Sequence, residues 1–316
     1  MSRHRACEKS KGRKGLVPRV VIVGSVALDT IRTPFDRKKD VLGGSLTYAA
    51  LASSRFAATG AVGVVGTDFP ARWTGLLAKA GVDIRGLARR QGRTFRWSGV
   101  YQKDMINRRT LATELNVFAD FRPDLPADYR RAPFFLIGNI SPALQLRVLE
   151  QAPAARFVAA DTMNLWINTD RRRLVKLISQ TDTLMLNDEE ARLLTGRHNL
   201  AACAEALLAM GPSYLVIKKG EHGAMLFSRR GIFLAPAYPV GEVRDPTGAG
   251  DTFAGAFIGA LAASGRVSDA AVRDALIWGS VVASFSVENF GADSLARVRW
   301  ERIVSRRREL LRMMKV

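Results

Sequence analysis

Asp245-Pro246-Thr247-Gly248-Ala249-Gly250-Asp251-Thr252-Phe253 is the stretch on which the reading of this chain turns. Before it, residues 240–247 are β-branched and turn-rich. After it, Phe253, Phe257 and Leu261 fall at helical spacing. The pattern is a loop, a glycine turn and a helix N-terminus. The first N–H groups of a helix lack intrahelical partners and lie at the positive end of its dipole, so such a terminus attracts anions. Glycine at 248 and 250 lets bare backbone approach a phosphate. Asp251 is the odd residue, because a carboxylate repels the anion that the amides attract. Two explanations fit the spacing equally. One is an N-cap, for which Asp is among the preferred residues. The other is a general base that takes a proton from an attacking hydroxyl while the amides hold a phosphoryl group.

The run from Asp245 to Leu261, DPTGAGDTFAGAFIGAL, resembles the C-terminal signature of the ribokinase (pfkB) family of carbohydrate and nucleoside kinases. The match to D-x-T-G-A-G-D, with its apolar helix following, is highly specific. The resemblance implies that Asp251 is the catalytic base and that Gly248, Ala249 and Gly250 form the anion hole. It also implies an α/β fold, a ribokinase-like three-layer sandwich with a mostly parallel central sheet and a small β lid.

Other segments appear in the order this family requires. Val20 to Val26 is a continuous β-branched run, consistent with a buried parallel strand, and leads to Asp29. An acid at the carboxyl end of such a strand lies where open α/β sheets bind ligands, although a turn residue fits as well. The family's first strand ends in a similar acid that binds substrate hydroxyls, which implies that role for Asp29. Gly43-Gly44-Ser45 then opens a helix from Leu46 to Phe56, with Ser45 as its expected N-cap. The family's G-G motif implies substrate contact and a lid hinge at Gly43 and Gly44. Relatives commonly carry Asn four residues later; this chain has Tyr48, a phenol that narrows the pocket or stacks on a ring.

Gly60, Gly63 and Gly66 are spaced G-x-x-G-x-x-G, so they are no dinucleotide fingerprint and read as packing glycines. Phe95, Trp97, Gly99 and Tyr101 alternate at period two. Leu111, Thr113, Leu115 and Val117 continue the alternation after a polar turn, which reads as a two-stranded ribbon. The ribbon interrupts a βα pattern and is expected to pair with the segment 31–41, so that the lid is formed by about 31–42 and 93–118. A lid excludes water that would otherwise hydrolyse ATP.

Asn139 follows the apolar strand 134–138, and Asp161 ends the strand 156–161. Both fall on the ligand-binding edge. Turn chemistry accounts for Asp161, whereas Asn139 is retained as a substrate-binding candidate. Asn187 and Glu190 resemble the family's N-x-x-E motif, which implies that they organise magnesium and phosphates through water. Lys218, Gly220 and Gly223 match its strand-G-x-x-G turn along the ATP site. Ser280, in the apolar helix 270–287, matches a position beside the adenine. The family implies a potassium site near Asp245 and Thr247.

Composition bounds the rest. The chain has 316 residues, 47% hydrophobic and 24% charged, enough for one large α/β domain. No apolar run reaches the ~18–20 residues a membrane span needs, and no secretory signal is visible. Cys7 and Cys203 have neither metal-ligand nor disulfide-framework spacing, which points to a reducing cytoplasm. His4, His198 and His222 show no pairing suited to a metal or a triad. The net charge of +19 is uneven: residues 1–18 carry six Lys/Arg against Glu8, and residues 297–316 carry eight against Glu301 and Glu309. Residues 1–18 read as a disordered basic leader, with 19–316 as the kinase domain. Nucleic acid would be bound only non-specifically by such tails, if at all.

The expectation is an ATP-dependent, magnesium-requiring kinase that phosphorylates a hydroxyl of a small sugar or sugar-like molecule. The alternative within the family is a nucleoside kinase, with Tyr48, Phe95, Trp97 and Tyr101 stacking the base. A non-catalytic member associated with nucleic acid is a third reading. The family also admits a homodimer through the lid.

Overall fold

Val20–Val23 (β1) is buried on both faces, as a β-branched run flanked by parallel neighbours must be. The computed structural model that shows this describes residues 17–315. The expected leader, 1–18, lies outside the described residues except for Val17 and Pro18, and Pro18 is buried beside Gly60.

Two sheets follow from the strand order. The lid strands are β2 (Ala27–Arg32), β3 (Arg37–Gly43), β6 (Phe95–Tyr101) and β7 (Arg108–Glu114), ordered β3-β2-β6-β7. The central sheet contains β1, β4 (Thr59–Gly66), β5 (Val82–Arg90), β8 (Phe134–Ile137) and β9 (Phe157–Asp161). It continues through β10 (Thr183–Asn187), β11 (Tyr214–Lys218), β12 (Ala224–Ser228) and β13 (Gly231–Ala235). Its order is β13-β12-β11-β10-β9-β8-β1-β4-β5, parallel throughout except for the β11–β12–β13 meander.

Alternate residues of the central strands feed opposite cores. Val20, Ile22, Phe134 and Leu136 join one core with the helices Ser45–Ser53, Ala249–Ser264 and Asp269–Ser286. Val21, Val23, Phe135 and Ile137 pack on the other face with Tyr129 and Val148, and Leu184, Leu186, Leu215 and Ile217 pack there with helices Arg171–Ile178 and Leu200–Leu208. Helices on both faces of a mostly parallel sheet give three layers, as expected. The expected packing glycines serve that purpose. A Cβ at Gly60 would meet the Tyr129 ring at 2.7 Å, and one at Gly63 would meet Leu46 at 2.7 Å.

Four local expectations need correction. The strand expected over 20–26 stops at Val23, because the backbone at Gly24 passes against the start of helix Ser45–Ser53; a Cβ there would lie 2.7 Å from Ser45 Oγ. The chain then enters the lid, so Asp29 belongs to β2, opposite Val41 and Trp97, and does not end β1. Ser45 is not the N-cap of its helix. Gly44 takes that position with φ 91°, while the Ser45 hydroxyl accepts from Ser25 N–H at 3.2 Å and ties the two loops together. The second ribbon strand is shifted to 108–114, with all seven residues exposed, and Val117 falls in a 3-10 turn instead.

Candidate active site

Four parallel strands deliver polar residues to one edge of the sheet: Asn139 after β8, Asp161 ending β9, Asn187 ending β10 and Lys218 ending β11. That is the edge where open α/β sheets bind ligands. Helix Ala249–Ser264 begins there. Its N-cap is Gly248, held in the left-handed region at φ 74°, where a Cβ would land in the Tyr48 ring. Glycine is therefore required at 248 on both counts. Thr252 N–H closes the first turn on Gly248 O (2.8 Å), and Ala249 N–H turns back to Pro246 O (3.3 Å). Ala249 is thus partly engaged within the loop. The amides of Gly250 and Asp251 are the first-turn donors without an intrahelical acceptor.

Asp251 is the third residue of this helix and makes no capping hydrogen bond. The N-cap explanation therefore does not hold. Burial, reinforced by the negative charge of Asp161, pushes its carboxyl up to about 7, against the pull of Lys218 and Arg108. A carboxylate poised there can accept a proton near neutral pH.

Lys218 meets this helix directly. Its Nζ stands 3.1 Å from where a Gly250 Cβ would be, so glycine at 250 leaves room for the ammonium at the helix start. Nζ donates to Asp161 Oδ2 at 2.7 Å, and both side chains are largely buried. Burial alone would lower the Lys218 pKa, but Asp161, Glu190 and Asp251 outweigh it and hold the value above the ordinary range. Turn chemistry therefore does not account for Asp161: it is the partner of a buried lysine at the site. Arg108, at the start of β7, also acts on Asp251 and Glu190. The ribbon reading, which began that strand at Leu111, missed it.

Asn187 and Glu190 form a reciprocal capping box. Asn187 Oδ1 accepts from Glu190 N–H, and Glu190 Oε2 accepts from Asn187 N–H, each at 2.8 Å. This uses the Asn187 side chain as a cap. Burial, opposed by Lys218, raises the Glu190 carboxyl to about 7. Among the described residues no cluster of His, Cys, Asp or Glu is tight enough to hold a metal ion directly. Gly220 (φ 56°) and Gly223 (φ 85°) make the turn between β11 and β12, and Ser280 is buried in helix Asp269–Ser286.

On the lid side, Asp29 is 3% exposed and lies against Gly43, where a Cβ would overlap its carboxylate. Burial, with Asp245 and Asp251 nearby, pushes its pKa up to about 8. Asp245 is fully buried, its Oδ1 accepting from Thr247 N–H (2.9 Å) and Oδ2 from Gly291 N–H (3.2 Å). Tyr101 of the lid reaches the signature loop through its hydroxyl, 3.1 Å from Thr247 Oγ1. Asn139 instead accepts from the Trp166 indole N–H at 2.9 Å.

Three of the four aromatics expected to stack a base are otherwise engaged. Tyr48 is fully buried against Gly248, Phe95 packs on Phe118 (5.5 Å between centroids), and Tyr101 is bonded to Thr247. Trp97 remains partly exposed, its indole N–H donating to Thr110 Oγ1 at 3.3 Å. It shares the site-facing side of β6 with Tyr101 and pairs with Asp29.

Residues 18–298 match the model of the pfkB family carbohydrate kinases. The chain belongs to that family. PfkB kinases are ATP-dependent phosphotransferases with an alcohol group as acceptor, and this chain is one of them. It is 30% identical over 264 residues to the cytidine kinase of Thermococcus kodakarensis, covering 80% of this chain and 92% of that one. A Bacillus subtilis ribokinase is 37% identical over a shorter stretch, 36% of each chain. The pfkB fold is shared with the Methanocaldococcus jannaschii nucleoside kinase (TM-score 0.75, 20% identity, 93% of this chain and 100% of that one). It is shared too with the aminoimidazole riboside kinase of Salmonella enterica (TM-score 0.71, 20% identity, 91% and 99%). No helix among the described residues is long and apolar enough to cross a membrane.

Proposed function

We propose that this pfkB kinase phosphorylates the primary hydroxyl of a nucleoside, with Asp251 as the general base. The observation that carries the nucleoside reading is the pairing of Trp97 with Asp29 on the site-facing side of the lid. An indole is a platform for a base, and the neighbouring carboxyl receives the sugar hydroxyls. The cytidine kinase relative, similar over most of both chains, supports it.

In this reading the acceptor lies between Asp29, the Gly43–Gly44 turn, Asn139 and Trp97, its hydroxyl directed at Asp251. Asp251 takes the proton as the hydroxyl attacks the γ-phosphorus in line. The Gly250 and Asp251 amides, aided by the helix dipole, hold the phosphoryl oxygens. The nucleotide runs along Lys218, the Gly220–Gly223 turn and Ser280; the space at Gly250 that a Cβ would fill, with Lys218 Nζ beside it, suits a phosphate. Glu190, whose carboxylate is half engaged by its cap, suits a water-mediated contact to magnesium, which neutralises phosphate charge when bound. An E. coli fold neighbour was captured with ATP and Mg²⁺. Asp245 is a buried carboxylate met by two amides and by no cationic side chain among the described residues, a donor set that suits a potassium ion beside Thr247. The exposed strand β7, with Leu111 at 53% exposure, supports dimer formation through the lid.

The test is ADP release with cytidine, uridine, adenosine, inosine, ribose and fructose as acceptors. A nucleoside should exceed free ribose in kcat/KM, and Trp97→Ala should raise the nucleoside KM by about 5- to 100-fold, the worth of one stacked base. Better turnover of a free sugar than of any nucleoside would overturn the proposal.

A further inference from the structure

We infer that Asp161 is a positioning residue of the phosphotransfer site: it holds the Lys218 ammonium at the start of helix Ala249–Ser264, where the transferred phosphoryl group arrives. The inference rests on the proposed phosphate site. Asp161 is 4% exposed, and both its carboxylate oxygens are engaged. Oδ1 accepts from Thr162 N–H (2.9 Å) and Oδ2 from Lys218 Nζ (2.7 Å). Its own backbone is fixed by buried Gln145, whose side-chain amide donates to Asp161 O (2.9 Å) and Gly138 O (3.0 Å), clamping the ends of β9 and β8 together.

The placement of Lys218 is electrostatically unfavourable for a purely structural ion pair. A helix N-terminus carries roughly half a positive charge, and an ammonium pressed against it is repelled. An anion bound between the two removes that repulsion. Without one, a nearby carboxylate must keep the lysine charged and in place. Asp161 does this from β9, one strand beyond β10, without entering the space at Gly250. The ionisable groups facing Lys218 are Asp161 on β9, Glu190 on helix Asp188–Thr195 and Asp251 on helix Ala249–Ser264. Arg108 of the lid acts on Glu190 and Asp251 in turn. Of the acids, Asp161 is the one bonded to Nζ.

Asp161→Asn preserves the shape and an acceptor for Thr162 N–H while removing the charge. It should lower kcat by about 10- to 100-fold, the scale expected when a reacting group is held out of place, with the acceptor KM changed less than about twofold. The pH profile gives a readout that a structural role would not move. Protonated Lys218 is the active form, and loss of its nearest anion lowers its pKa. Activity of the variant should therefore fall at a lower pH on the alkaline side than activity of the wild type.

A double-mutant cycle completes the test. If Asp161 acts through Lys218, adding Asp161→Asn to Lys218→Met should cost no further kcat. The double variant removes both members of the Lys218–Asp161 ion pair, so neither is left as an unpaired buried charge, and it keeps the test decisive if the single variant is unstable. Independent, multiplying losses would overturn the inference, as would a wild-type kcat and pH profile in Asp161→Asn. Full kcat and ATP affinity in Lys218→Met would overturn the phosphate site itself and the inference with it. A defect in Lys218→Met but none in Asp161→Asn would overturn the inference alone.

Discussion

Replacing Asp29 by Asn should stabilise the folded protein, and by more as the pH rises. Asp29 is 3% exposed, and burial, with Asp245 and Asp251 close by, lifts its carboxyl from the ordinary 3.8 to about 8. The unfolded chain releases this proton near the ordinary value and the folded chain only near pH 8. Between those values the folded state binds more protons, so its stability falls as pH rises through that window. At about 1.4 kcal/mol per pH unit, the burden is about 2 kcal/mol at pH 5.5 and about 6 kcal/mol at pH 9, where the full shift from 3.8 to about 8 counts. Asn has nearly the same shape and no charge. Its advantage over Asp should therefore grow by about 3–4 kcal/mol between these conditions, or about 7 °C in Tm at roughly 2 °C per kcal/mol for a chain of this size. Calorimetric melting of both proteins at the two pH values, without ligand, reads this directly. A Tm difference that is the same at pH 5.5 and pH 9 would show that Asp29 titrates alike in the folded and unfolded chains and is not raised by burial.

Three further outcomes follow from the site. Asp251 must be ionised to accept a proton and is pushed up to about 7, so kcat/KM should fall about tenfold per pH unit below that value; a profile flat down to pH 5.5 would contradict it. Gly248→Ala forces a Cβ into the left-handed region and into the Tyr48 ring, and the backbone strain alone is worth about 1–2 kcal/mol. Tm and kcat should both drop, and a wild-type Tm would show that the turn is not strained by a side chain. Tyr101→Phe removes the 3.1 Å hydrogen bond from the lid to Thr247, worth about 1 kcal/mol, and should raise the acceptor KM about fivefold. An unchanged KM would show that lid closure does not depend on that bond.

What was legible in the sequence was local. Two glycines followed by apolar residues at helical spacing specify the turn and helix around Asp251 within a dozen residues, and the lid ribbon shows its period over 95–101. The strand carrying Asp161 was legible as well. Its role was not, because the partner that gives it one, Lys218, is 57 residues away across an intervening strand. An acid at a strand end looks the same whether it caps a turn or pairs with a lysine. Arg108 was missed because Leu111 and Leu115 continue an apolar alternation that marks no buried face: Leu111 and Leu115 are 53% and 47% exposed. Asp29 is legible as a candidate, but the sheet it belongs to is not. The β-branched run gives no sign that the chain leaves the central sheet at Gly24, which is set by the close approach of helix Ser45–Ser53. The capping box of Asn187 and Glu190 is written in the sequence as N-x-x-E. That pattern fits a helix cap and a phosphate-site motif equally, and the cap is the geometry observed.

Whether Asp251 removes the acceptor proton is decided by Asp251→Asn. Asp251 makes no capping hydrogen bond and burial raises its carboxyl to about 7, so an amide of the same shape should leave the helix intact and the Tm equal or higher while abolishing the proton acceptor. With an acceptor that the wild type uses, kcat and Tm should be measured on the same preparation. The Asn variant should show a kcat lower by at least ~10²–10⁴, the range general-base catalysis supplies, with ATP bound as well or slightly better because a negative charge beside the phosphates is gone. Near-normal turnover in a normally folded Asn variant would contradict that role for Asp251.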